Sequence, residues 1–379
     1  MSRRLALEDV QPGQIYETTF WPNPVEGSDY RFRATHLGPA KAPKVVLCDD
    51  GRVRPGGRAR VRVVRVHKPN RSDRGFIEVE FMQSAGLELS GIYLDPEVSK
   101  KLQVLLESGL NILLDGPQGS GKTTTVREVA RALGMEFVFF NCAAVMEPTD
   151  FVATLQIRAS DTGAPITEFL PTELMRAIEE ATRRPRRRYL VFLDELNRAP
   201  EAARNVLMPA LDSTRRLYDP VSNTFVTIPD NVQFVAAVNR GSAFSATFGI
   251  DAAQLDRFAP LQMDYLPADE EVKLLASRHP EVSRRWIRQI VSIASKVRAS
   301  PDVDRGLSVR ATEEVCIYLS HPLMNATIAS DLAHVLRSSF CGRFDGRWDD
   351  AATDAGAVWR VIREALDAGE IPADDDGGA

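Results

Sequence analysis

The chain has 379 residues, with 47 lysines and arginines against 52 aspartates and glutamates and a formal net charge of −5. Hydrophobic residues make up 44% and charged residues 26%, which excludes a disordered, collagen-like or coiled-coil chain and a uniformly basic nucleic-acid binder. At ~100–200 residues per domain the length predicts two or three domains. Cys48, Cys142, Cys316 and Cys341 are widely spaced without a CxxC pair, so reduced thiols are expected rather than a disulfide framework or zinc ribbon. The five histidines show no metal-ligand spacing. The apolar stretch after Arg4 is too short for a signal peptide, and no run approaches the ~20 residues of a membrane span. A cytoplasmic location is expected.

Residues 1–85 read as a small β-rich domain, a barrel or sandwich. Val45–Asp50, Arg58–Val66 and Phe76–Met82 are strand-like, separated by turn formers at Gly51, Pro55-Gly56-Gly57 and Pro69-Asn70. Residues 49–75 hold nine lysines and arginines against three aspartates. There Arg58, Arg60 and Arg62 alternate with Ala59, Val61 and Val63, which places three guanidinium groups on one strand face. Such a stripe can bind nucleic acid or another polyanion, or it can be the solvated face of an antiparallel strand; no aromatic residues are interleaved for stacking.

Residues 86–266 read as an αβ nucleotide-binding domain. Its candidate strands are Asn111–Asp115, Glu136–Asn141, Arg188–Asp194, Val232–Asn239 and Leu261–Leu266. Helical stretches lie between them at Lys122–Leu133, Thr172–Thr182 and Ala202–Leu211. Short, nearly continuous apolar strands alternating with helices predict a parallel sheet covered on both faces. The run Arg183-Arg184-Pro185-Arg186-Arg187-Arg188 precedes a strand, so it belongs at the amino end of the sheet, as a ring contact or a solvated loop. Residues 267–371 read as a helical lid, with helices over Asp269–Arg278, Ser283–Ser300, Ala311–Leu319, Ala326–Ser339 and Ala357–Ala368. Residues 372–379 form an acidic tail.

Residues 116–123 read Gly116-Pro117-Gln118-Gly119-Ser120-Gly121-Lys122-Thr123, a full match to G-x-x-x-x-G-K-[ST] between an apolar strand and a helix that also carries Thr124. Glycines let such a loop wrap with its amides aimed at phosphate oxygens, and the helix N-terminus adds partial positive charge there. Lys122 is expected to reach the β- and γ-phosphates and the Thr123 hydroxyl to ligate Mg²⁺. The apolar run Tyr189–Leu193 ends in Asp194-Glu195. Asp194 would hold Mg²⁺, usually through water, and Glu195 would act as general base on the water that attacks the γ-phosphate.

In order, GPQGSGKT, FLDELNRAP (192–200), QFVAAVNR (233–240) and QLDRF (254–258) resemble an AAA+ ATPase, with Asp-Glu-Leu-Asn-Arg-Ala close to the MoxR-like branch. The resemblance covers about residues 90–320. It implies a P-loop AAA+ core with a parallel five-stranded sheet, a helical lid, ATP and Mg²⁺ as cofactors, and assembly into a ring, expected to be a hexamer. Asn239 corresponds to the sensor-1 residue that positions the lytic water, although Asn239-Arg240 departs from the Asn-Pro common there. Arg257 corresponds to the arginine finger that reaches the γ-phosphate of the neighbouring subunit, and Arg310 to the sensor-2 arginine at the start of a lid helix. Arg198 is a further basic candidate at the subunit seam. Residues 211–232 resemble the hairpin before the sensor strand. Residues 149–168 resemble the helix-2 insert whose loops face the ring pore, with Phe151 and Leu155 as pore contacts or as packing residues.

Three functions follow from these readings. The first is a ring-forming ATPase that remodels a client or adaptor protein, since MoxR-like ATPases act with von Willebrand factor A partners on metalloenzymes. The second is a nucleic-acid motor using residues 49–75. The third is a scaffold in which ATP binding alone fixes assembly.

Overall fold

The computed structural model describes residues 5–25, 28–50, 53, 58–68, 75–84, 89, 91–159, 165–239, 249–303, 305–321 and 328–368. The chain divides into two compact units. The first holds Met1–Leu114, Thr123–Val238 and Phe248–Leu261; the second holds Asp115–Lys122, Asn239–Thr247 and Gln262–Ala379.

In the first unit, six strands form one sheet: β1 (Ile15–Thr19), β2 (Trp21–Pro22), β3 (Phe32–Leu37), β4 (Ala40–Cys48), β5 (Arg58–His67) and β6 (Phe76–Ser84). Their order is β1-β5-β6-β4-β3-β2, antiparallel except for the β4–β6 pair. The Gly38 amide donates to the Glu17 carbonyl at 2.6 Å and Thr18 Oγ1 to the His36 carbonyl at 2.5 Å, which curls edge strand β1 back toward the β3–β4 turn. Alternation sorts β5: Ala59, Val61 and Val63 are buried with Val46 and Ile77, while Arg60 and Arg62 are exposed. Val64 continues the outward face of Arg60 and Arg62, and a register shift between Val63 and Arg65 passes over it in the pairing with β6.

The arginine stripe is answered across the sheet. Arg60 faces Glu17 in register and pairs with it at 3.6 Å, and Arg62 pairs with Glu80 at 2.9 Å. The two described arginines of the stripe thus lie on a solvated face and are balanced by carboxylates of neighbouring strands. The Arg58 side chain and residues 51, 52, 54–57 and 69–74 of the basic cluster lie outside the described residues.

The nucleotide-fold sheet has the order β15-β7-β14-β11-β8, from β7 (Ile112–Asp115), β8 (Glu136–Asn141), β11 (Tyr189–Asp194), β14 (Val232–Val238) and β15 (Ala259–Gln262). It is the parallel five-stranded sheet of an α/β P-loop fold. All of β14 and Tyr189–Leu193 are buried, which explains the unbroken apolar runs. Helix α3 (Glu173–Arg183), capped by Thr172 Oγ1, packs Leu174, Ile178 and Ala181 into the same core as Val191, Leu193 and Phe234. Helix α2 (Lys122–Ala132) ends as its sequence foretells, at Gly134 with φ of +63°.

Three expectations need correction. The strand expected over Leu261–Leu266 lies at Ala259–Gln262; Pro260, which reads as a breaker, is tolerated because β15 is an edge strand. The helix expected over Ala202–Leu211 is interrupted. Helices α4 (Glu201–Arg204) and α5 (Met208–Leu211) flank a 3₁₀ turn at Asn205–Leu207, because Pro209 lacks an amide and crowds the carbonyl four residues back. Phe151 is no pore contact: it is fully buried and stacks on Phe140, ring centroids 5.5 Å apart. Leu155 instead lies half exposed on β9 (Ala153–Ala159), opposite Phe169 of β10 (Pro165–Pro171). A helix absent from the sequence reading, α1 (Pro96–Glu107), is capped by Asp95 Oδ1, which accepts from the Glu97 and Val98 amides. The hairpin expected before the fourth core strand is present as β12 (Arg216–Asp219) and β13 (Thr224–Thr227); after it comes the short helix α6 (Ala252–Leu255).

The second unit is a helical bundle: α7 (Ala268–Arg278), α8 (Arg284–Ala299), α9 (Val309–Ser320), α10 (Ile328–Leu336) with a π-turn at Arg337–Cys341, and α11 (Asp354–Asp367). Leu275, Ile287, Ile290, Val315, Phe340, Val358 and Ile362 build its core. No helix among the described residues is long and apolar enough to cross a membrane. The acidic tail and Ala326 lie outside the described residues.

Candidate nucleotide-binding site

In the second unit the loop Asp115–Lys122 turns on Gly119 and Gly121, with φ of +81° and +83°, a region open to glycine at little cost. Gly119 packs so tightly on Ser308, the N-cap of α9, that a Cβ there would fall 2.2 Å from the Ser308 Cβ. The start of the lid helix, two residues before Arg310, therefore lies against the loop. Lys122 is 7% exposed. Its Nζ donates to the Gly116 carbonyl at 2.8 Å, the Pro117 carbonyl at 2.9 Å and Asn239 Oδ1 at 2.8 Å. Asn239 directly follows β14 and is itself buried. Among the described groups Ser120 Oγ is buried without a hydrogen-bond partner, while Gln118 and Thr124 are exposed. Arg310 is exposed, and its side chain makes no hydrogen bond or ion pair among the described residues.

In the first unit Thr123 Oγ1 donates to Asp194 Oδ2 at 3.2 Å, and Asp194 Oδ1 accepts the Glu195 amide at 3.1 Å. The strand ends here in a tight corner. Glu195 sits at φ +52°, ψ +43°, a left-handed conformation unfavourable for a residue with a Cβ, before a 3₁₀ turn over Leu196–Arg198. Its carboxylate pairs with Arg198 Nε at 3.2 Å. Cys142, buried near both acids, has its thiol pushed far up by burial and then by Asp194.

Hydroxyl and carboxylate oxygens are hard donors that suit Mg²⁺, and the orphaned Ser120 hydroxyl with the glycine cradle suits a phosphate. The residues fit a magnesium–nucleotide pair. Among the described residues no group of three or more His, Cys, Asp or Glu side chains is placed to hold a metal on its own.

Arg257 makes no hydrogen bond or ion pair with these groups among the described residues. It follows α6; Nη1 donates to the Ala253 carbonyl at 2.5 Å, and Nε is buried without a partner among the described groups. Its carbonyl accepts from Asn111 Nδ2 at 3.3 Å, and the next residue, Phe258, anchors the turn in the core. Arg204, which no sequence signal marks, is fully buried, and its guanidinium pKa is lowered by desolvation; Nη2 donates to the Gly249 carbonyl at 2.5 Å.

Residues 111–258 match the family described as AAA domain (dynein-related subfamily). An uncharacterized protein of Staphylococcus saprophyticus is 26% identical over 175 residues, 46% of this chain and 63% of that one. Uncharacterized proteins of Staphylococcus haemolyticus and Staphylococcus aureus are 25% and 23% identical over 204 and 226 residues, covering 54% and 59% of this chain and 74% and 82% of theirs. The chain thus spans less than two thirds of the first of these relatives. Among solved structures, RuvB of Thermotoga maritima, described as a Holliday junction branch migration motor, is 17% identical and covers 73% of this chain and 88% of its own, with a TM-score of 0.41. A second RuvB structure is 19% identical, covers 65% and 71%, and has a TM-score of 0.43. The family match runs from the strand that leads into the loop to Phe258, the residue after Arg257.

Proposed function

We propose that this chain is a ring-forming ATPase of the MoxR-like kind, which hydrolyses ATP to remodel a client or adaptor protein. The observation that carries the reading is the buried Lys122, held at 2.8–2.9 Å by two loop carbonyls and Asn239. An ammonium fixed there is ready to exchange carbonyl partners for phosphate oxygens. Gly116, Pro117, Gln118, Gly119, Ser120, Gly121 and Thr124 complete the loop that would take the phosphates. Thr123 and Asp194 would hold the Mg²⁺, which neutralises charge on the β- and γ-oxygens when bound. Glu195 would accept the proton of the attacking water once its carboxylate leaves Arg198, and Asn239 would orient that water. Arg310 would contact phosphate from its own subunit.

Arg257 supports the ring. Its guanidinium has a buried Nε without a hydrogen-bond partner and makes no ion pair among the described residues, as suits a charge delivered to a neighbour's γ-phosphate. Protein remodelling is preferred to a nucleic-acid motor acting through residues 49–75, because carboxylates occupy Arg60 and Arg62. A von Willebrand A protein is the partner the resemblance suggests.

The test is a pair of substitutions. Glu195→Gln should retain ATP affinity and lose turnover by at least ~100-fold. Arg257→Ala should lose turnover by ~1000-fold with nucleotide affinity largely kept. Full turnover in either variant, measured as phosphate release beside nucleotide affinity, would remove the assignment.

A further inference from the structure

A cavity of about 810 Å³ opens in the first unit at the amino ends of β11 and β14, with Trp21, Arg33, Arg186, Arg188, Arg215 and Gln233 in its wall. Six residue steps along β11 separate Arg188 from Asp194, about 20 Å of strand, so this is not the phosphate-loop site. Its volume falls in the range of small-molecule sites, roughly 300–1,000 Å³.

Its arginines are set apart by what they lack. In the run 183–188, Arg183, Arg184 and Arg187 pair with Glu179, Glu180 and Glu136 at 2.7–3.1 Å. Arg186 and Arg188, the two that line the cavity, have no ion pair among the described residues. Arg188 is largely shielded from water, yet the one hydrogen bond its side chain makes among the described residues is a 3.5 Å contact to Gln233 Oε1. Desolvation lowers its pKa, against only the through-space field of Glu107. Arg33 likewise has no partner among the described residues. Arg215, at φ +46°, is a strut rather than a receptor: it donates to the Ile228, Pro229 and Val232 carbonyls at 2.7–3.2 Å. Acids in the wall are fewer. Glu107 accepts from Gln103 at 2.8 Å, and Asp230 lies 3.8 Å from Arg215.

Beside these cations stands a flat apolar surface. Trp21 faces Arg33 in the β2–β3 register, so ring and guanidinium share one face of the sheet. Guanidinium groups that share a cavity and are not ion-paired to its carboxylates can recognise phosphate, and an indole beside them a planar ring.

We propose that this cavity binds a nucleotide unit, phosphates on Arg33, Arg186 and Arg188 and base against Trp21, as a site separate from the phosphate loop. The unit could be a free small nucleotide or the end of a single strand, and two probes distinguish these sources. Fluorescein-labelled pdTpdT and dT12 are titrated by anisotropy into the full chain with saturating MgADP occupying the loop.

Binding of both probes identifies the free unit as sufficient, and binding of dT12 alone identifies the strand; each supports the site. Arg186→Gln, at an exposed position where folding is not at risk, should weaken binding about tenfold. Trp21→Leu should weaken it about fivefold. Both variants should keep ATP turnover unchanged, which shows that they are folded. Failure of both probes to bind overturns the proposal. So does unchanged affinity in the two variants. So does competition by polyglutamate that depends on Arg186 and not on Trp21, since that marks an acidic-peptide site.

Discussion

Glu195 is the residue at which stability and chemistry pull in different directions. A strand that must present two successive carboxylates at its end has to turn sharply, and the turn forces Glu195 into the left-handed region at φ +52°. Left-handed backbone costs a residue with a Cβ about 1 kcal/mol or more, and glycine much less. Glu195→Gly should therefore be about 1 kcal/mol more stable than Glu195→Ala, since both lose the carboxylate and only one keeps the strain. Urea denaturation of the two variants checks this, and equal midpoints would show that the corner is unstrained. Both should be inactive in ATP turnover under the proposed mechanism. The motif Asp194-Glu195 was legible in the sequence because an apolar strand and two acids are consecutive. The pairing of Glu195 with Arg198 was not, because a side chain three residues on can point anywhere until the 3₁₀ turn fixes it.

At the scale of elements, the lid is pinned by a buried ion pair spread over three helices. Glu271 of α7 is fully buried; Arg298 of α8 donates to it through Nη1 at 2.6 Å and Nη2 at 3.1 Å, and Thr312 of α9 adds a bond at 2.6 Å. Arg298 also donates through Nε to the Leu307 carbonyl and lies 4.9 Å from the Tyr265 ring centroid. Removing one partner strands the other charge. Arg298→Met should cost about 3–5 kcal/mol, and adding Glu271→Leu should recover most of that loss. Chemical denaturation of the single and double variants measures the coupling, and strict additivity would deny it. Nothing in the sequence links residues 271, 298 and 312, because each reads as an ordinary helical position. Elements whose signal is local were legible: the apolar run of β11, the glycine loop, and the Gly134 stop. The rest depended on context. Asp95-Pro96 marks the start of α1 but lies where loop and helix signals overlap. Pro209 breaks a helix whose apolar spacing otherwise runs on, and a strand through Pro260 is legible only once the sheet order shows that β15 is an edge strand.

For the whole molecule, composition predicted reduced thiols, and the fold places all four out of reach. Cys48, Cys142, Cys316 and Cys341 are buried and free. Burial is the leading cause of each raised pKa, to about 12 for Cys316 and about 11 for Cys341. Thiolate, the reactive form, is therefore scarce at pH 8. Native protein should react with almost no Ellman's reagent at that pH, and denatured protein with four equivalents. Rapid native labelling would contradict the packing.

A second whole-molecule prediction concerns assembly, where Arg257 and Glu195 would serve one site from two chains. Each single variant, Glu195→Gln or Arg257→Ala, lacks one half of every site it forms with itself. In a mixture, a subunit carrying Arg257→Ala still offers its intact Glu195, and a neighbour carrying Glu195→Gln still offers its intact Arg257. Random assembly of equal amounts puts these two neighbours in the productive order at about a quarter of the seams, so about a quarter of wild-type turnover should return on mixing. The measurement is phosphate release at fixed total protein across mixing ratios, with a maximum near equal proportions. A flat line at the level of the separate variants would place Arg257 and Glu195 in sites that do not share a seam.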